Sequence, residues 1–83
     1  MNLQVGSLVI STYGKDKGQL YFVKEITEKK RVLLVNGYSK TLEKPKTKNL
    51  KHINLIKNCD LDFKLLNDCD IIFKLRCLSK SLK

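Results

Sequence analysis

No apolar run in this chain exceeds four residues, the longest being Val32 to Val35. A helix spanning a bilayer needs about 20 consecutive apolar residues, so no segment here can serve as one. What remains is a series of short β-rich runs cut by turn chemistry. Val5, Val9 and Ile10 fall in a first run from Gln4 to Thr12, Gly14-Lys15-Asp16-Lys17-Gly18 follows, and Gln19 to Val23 resumes the β-rich pattern. That reads as strand, turn, strand. The two glycines bracket the turn because a residue without Cβ reaches positive φ at no steric cost.

Arg31 to Val35 is a third strand, reached through Thr27-Glu28-Lys29-Lys30. Asn36-Gly37 then signals a type I′ hairpin, since both residues tolerate positive φ. A fourth strand is expected from Tyr38 to about Glu43. Glu43 to Asn49 holds a proline, three lysines and no apolar side chain, the pattern of a solvated loop. Leu50 to Ile56 reads as a fifth short strand. With so many strands in so little chain, closure is expected, because a barrel removes sheet edges that nothing else is available to cover. The expected fold class is therefore mainly β: a small barrel of about five strands over residues 1–57, with a connector and a helix over 58–83 packed on it.

The 83 residues suffice for one domain. A content of 42% hydrophobic and 30% charged residues places the chain among globular rather than disordered proteins. Residues 1–58 carry 12 basic and four acidic side chains, whereas 59–83 carry five and four, so most of the +9 net charge belongs to the β-rich part. Polyanions are its natural partners.

In the tail, Asn67-Asp68-Cys69-Asp70 supplies an N-cap and two carboxylates where a helix dipole favours them. Ile71, Leu75, Leu78 and Leu82 then recur at helical spacing, and Lys74, Arg76, Lys80 and Lys83 follow toward the C-terminus. The stretch Asp60 to Leu65 suits a sixth edge strand or an extended connector. Three cysteines without paired spacing and no N-terminal apolar segment argue for a reducing cytoplasm, with Cys69 and Cys77 as small packing residues on the helix. His52 and the cysteines lack zinc-site spacing, and the aspartates lack that of a calcium loop. No cofactor or metal is expected, and no acid/base pair or activated nucleophile indicates an enzyme.

Val5-Gly6-Ser7-Leu8-Val9 leading into Gly14-Lys15-Asp16-Lys17-Gly18 and Gln19-Leu20-Tyr21-Phe22-Val23 resembles the KOW motif of ribosomal proteins and transcription-elongation factors. Together with Asn36-Gly37 and the segment from Glu43 through Lys44-Pro45-Lys46 to Ile53, the pattern is similar to that of short KOW-domain RNA-binding proteins related to large-subunit ribosomal proteins. The likeness covers roughly residues 3–56. It implies an SH3-like barrel whose loops contact RNA, ribosomal RNA foremost, in the setting of the ribosome or the transcription machinery.

The residues expected to bind RNA are Tyr13, Gly14, Lys15, Lys17, Gly18, Tyr38, Lys44, Lys46, Lys48 and Lys51. Lys15 and Lys17 would set two ammonium groups and exposed N–H donors along a phosphate track, and Lys44, Lys46, Lys48 and Lys51 a second basic edge. If six lysines each neutralise a phosphate, log K should fall with log salt at a slope of roughly −4 to −5. Tyr13, Tyr21 and Tyr38 are candidates for stacking on unpaired bases, with Tyr21 the one placed for core. A monomer is expected. The competing reading is a protein-interaction module of the transcription or translation machinery that docks through the tail helix.

Overall fold

The computed structural model describes residues 3–27, 30–59 and 61–81. Five strands form one antiparallel sheet: β1 (Leu8–Ser11), β2 (Leu20–Thr27), β3 (Arg31–Val35), β4 (Lys46–Asn49) and β5 (Ile53–Lys57). A 14-residue helix, α1 (Asp68–Ser81), follows. The sheet order is β4-β3-β2-β1-β5, so β1 is flanked by its immediate successor and by the last strand.

Side chains alternate across a strand, and here both faces are covered. Val9, Tyr21, Val23, Val32, Leu34 and Ile53 form one buried cluster. Leu8, Phe22 and Val35, one position out of step, form the other together with Ile71 and Leu75 of α1. A strand buried on both sides reads as a continuous apolar run rather than a clean alternation, which accounts for Leu8-Val9 and Val32 to Val35. The sheet is curled. Its two outer strands, β4 and β5, are joined only by the single 3₁₀ turn Leu50–His52, and irregularities at Leu8/Val9 and Val23/Glu25 increase bend and twist. Among the described residues no ladder joins β4 to β5, so the sheet is open at that seam.

The helix begins where the aspartates and asparagine indicate. Asn67 Oδ1 accepts from the Asp70 N–H at 2.9 Å, while Asp70 Oδ2 accepts from the Asn67 N–H at 3.1 Å, a reciprocal capping box. Ile71 and Leu75 are buried against the sheet and Leu78 packs at its margin, whereas Leu82 and Lys83 lie outside the described residues.

Closure is the first expectation to change, since the sheet is open between β4 and β5 rather than closed as a barrel. Residues 38–43 are not a strand, and the Asn36-Gly37 hairpin does not form: Gly37 alone of the pair has positive φ (87°), and Asn36 Oδ1 instead accepts from the N–H groups of Tyr38 and Lys40. The polar stretch expected as loop contains β4, with Pro45 just before its first residue and so removing no ladder donor. Of the two alternatives for Asp60 to Leu65, residues 61–65 take the connector, turned by the Asp62 carbonyl and carboxylate accepting from Leu65 and Lys64 N–H groups; Asp60 lies outside the described residues, as do Glu28 and Lys29. Cys69 and Cys77 are exposed on α1 rather than packed.

Candidate functional site

The 14–18 loop is held by a polar network at its base. Asp16 Oδ1 accepts from Lys48 Nζ at 2.6 Å and from Ser11 Oγ at 3.1 Å, and its Oδ2 accepts from the Tyr21 hydroxyl at 2.9 Å. The side chains of Lys48 and Asp16 are only 8% and 12% exposed. Burial alone would raise the Asp16 carboxyl. The hydrogen bonds from Lys48, Tyr21 and Ser11, with the charge of Lys48, outweigh that and hold it down to about 2. Burial and the facing carboxylate push the Tyr21 hydroxyl in the other direction, upward.

Lys48 also donates to the Tyr13 carbonyl at 2.8 Å, so one ammonium ties β4 to the entrance and to the middle of the loop. Backbone bonds from Gly18 N to Ser11 O and from Lys17 N to Gly14 O complete the turn. The result is a fixed loop that keeps Gly14, Lys15, Lys17 and Gly18 exposed. Beside it, the ring of Tyr13, 64% exposed, stacks on His52 with centroids 4.5 Å apart and planes 19° from parallel. The Thr12 N–H donates to the His52 carbonyl and fixes the two segments to each other. Lys51, exposed, adjoins His52 on the 3₁₀ turn.

The expected residues therefore divide. Tyr13, Gly14, Lys15, Lys17, Gly18 and Lys51 share one basic, aromatic surface. Lys48 lies beneath it, its ammonium engaged by Asp16 and Tyr13. Lys46 is two residues away on β4, half-buried and opposite Leu34. Lys44 belongs to the 41–44 bend, where the Leu42 N–H donates to Asp68 Oδ1 at 2.9 Å and draws the segment toward α1. Tyr38 is also on that side, 62% exposed, beside Gly18 and Leu20 in a groove lined by α1. Tyr21 is core, its hydroxyl serving the network.

Sequence reasoning missed His52 as a stacking partner and Asp16 as the anchor. Asp16 looked like ordinary turn chemistry, and its partner lies 32 residues away. Among the described residues no set of three His, Cys, Asp or Glu side chains is grouped to hold a metal ion, and no helix is long and apolar enough to cross a membrane. Neither a protein-family model nor a curated protein matches the chain.

Proposed function

We propose that this chain is a non-enzymatic RNA-binding module of the SH3-like, KOW type that grips structured RNA, ribosomal RNA foremost, through the 14–18 loop and the Tyr13–His52 stack. The observation that carries the reading is the buried Asp16–Lys48 pair beneath an exposed, lysine-bearing loop. The pair fixes the loop that carries Lys15 and Lys17 in one form, at a desolvation cost that offsets much of its Coulomb gain. Held in place, Lys15 and Lys17 meet a phosphate track without first losing loop entropy, and Tyr13 offers a π-face to an unpaired base. The KOW-like spacing and the net charge of +9 agree with this reading. Its setting would be cytoplasmic, at the ribosome or the transcription machinery, and its form a monomer.

With Lys48 engaged internally and the Lys44 bend drawn toward α1, Lys15, Lys17, Lys46 and Lys51 remain for phosphate, and the expected salt slope is roughly −3 to −3.5. The test is a salt titration of binding to ribosomal RNA fragments and to a DNA duplex of matched charge, with Lys15→Glu/Lys17→Glu alongside. A preference for RNA that the double reversal abolishes supports the reading; equal, weak binding to both nucleic acids sinks it.

A second reading, docking on a protein of the same machinery, draws on Phe73, which is 69% exposed on α1. Phe73→Asp discriminates: a docking role predicts a lost protein partner with RNA binding intact.

A further inference from the structure

A groove of about 660 Å³ runs from the end of the 14–18 loop to the later turns of α1. Its apolar lining is Leu20, Ile72 and Leu75; Tyr38, Gly18, Gln19 and Ser79 line it too, as do the cations Arg76 and Lys80. Among the described residues no carboxylate lines it. Arg76 and Lys80 are exposed, and among the described residues neither is in an ion pair.

We infer that this groove holds one unpaired nucleotide of the bound RNA, its base against Tyr38 and the apolar lining and its phosphate against Arg76 and Lys80. The inference rests on the RNA-binding reading and extends it to a part of the molecule that the sequence assigned only to packing or to protein docking.

Three observations select this occupant. An apolar lining with an aromatic ring suits the face of a base, which every nucleobase presents. Two cations and no anion among the described lining residues suit a phosphate, and guanidinium binds one in a bidentate fork. Gly18 belongs both to the lysine-bearing loop and to the groove, and a Cβ built there would meet no atom within 4 Å. The backbone between loop and groove is thus open to close approach, and one strand can run from Lys17 across Gly18 to Tyr38 without leaving the surface. A fully paired helix cannot place a base in such a groove, so the groove selects unpaired segments.

The experiment compares an RNA hairpin bearing a six-nucleotide pyrimidine loop with a paired RNA duplex of equal charge. Wild type, Arg76→Glu/Lys80→Glu, Tyr38→Leu, Tyr38→Phe and Lys15→Glu/Lys17→Glu are assayed, with circular dichroism as the check on folding. The altered side chains are all exposed, so folding should survive. The groove reversal should weaken hairpin binding at least tenfold and flatten its salt slope by about 1.5, the share of two phosphate contacts. Tyr38→Leu should erase the preference for hairpin over duplex while keeping the slope, and Tyr38→Phe should restore that preference.

Wild-type hairpin affinity in both the groove reversal and Tyr38→Leu, with Lys15→Glu/Lys17→Glu defective, overturns the groove and leaves the loop reading standing. The converse pattern supports the groove and removes the loop. Failure of wild type to bind either RNA removes both. Equal displacement of hairpin RNA by polyglutamate of matched charge also overturns the groove, since it marks a surface that takes any acidic polymer.

Discussion

Lys48 Nζ lies 2.6 Å from Asp16 Oδ1 and 2.8 Å from the Tyr13 carbonyl oxygen, so a single side chain from an edge strand fixes the loop that precedes β2. Replacing it by Met keeps most of its bulk but leaves a nearly buried carboxylate without its cation. Lys48→Met should cost about 2 kcal/mol in urea unfolding, the range for a lost charge-assisted hydrogen bond. It should also weaken RNA binding by more than the removal of one remote cation, because the loop loses its fixed form.

The depressed Asp16 value makes stability depend on acid in a defined direction. In the unfolded chain this carboxyl titrates near 3.8; in the folded protein it titrates at about 2. The unfolded state takes up the proton first, so the contribution is full above the unfolded value and is lost as pH falls from about 4 toward 2. Thermal melts across that window should show a fall in Tm in wild type that is shallower in Asp16→Asn.

Tyr21 gives the opposite limb. Its folded value lies above the ordinary 10.0, so the unfolded chain loses the proton first as pH rises and stability falls beyond that point. Tyr21→Phe removes this titration, and its unfolding midpoint should decline less steeply in alkali than that of wild type.

Gly37 and Gly18 both have positive φ, 87° and 92°, yet they should respond differently to alanine. At Gly37 an added Cβ would stand 2.5 Å from the Asp68 carbonyl oxygen and 2.7 Å from Ile72 Cγ1, against the first turns of α1. Gly18→Ala should cost only the conformational penalty of about 1–2 kcal/mol, whereas Gly37→Ala must also displace the helix and should cost clearly more in chemical denaturation.

The capping box offers a local measure of how far α1 supports the fold. Asn67→Ala removes one of its two hydrogen bonds and should lower global stability by about 1 kcal/mol. A loss of helical circular dichroism without a shift of the main unfolding transition would instead show that α1 melts separately from the sheet.

The β1 to β3 region and α1 were legible because their signals are local: apolar runs at Leu8-Val9, Tyr21 to Val23 and Val32 to Val35, and capping chemistry beside a helical stripe. The β4 strand was not, for a physical reason. Lys46-Thr47-Lys48-Asn49 has no apolar residue, and it is a strand because β3 offers it a ladder, Val32 opposite Lys48 and Leu33 opposite Thr47. Asn36-Gly37 misled in the reverse sense: its local preference for a tight hairpin yielded to the packing of Gly37 against Asp68 and Ile72. The exposed lysines of the 14–18 loop could be read from the sequence. The joining of Tyr13 to His52 and of Asp16 to Lys48 could not, because each pair is made only when the sheet brings distant segments together.

The position of β1 between β2 and β5 bears on how the chain matures during synthesis. The meander from β1 to β4 uses only neighbouring segments and can assemble as the chain lengthens, but the outer edge of β1 stays unpaired until Ile53–Lys57 arrives. For that interval a nascent chain presents an open, apolar β edge, the kind that recruits a second copy.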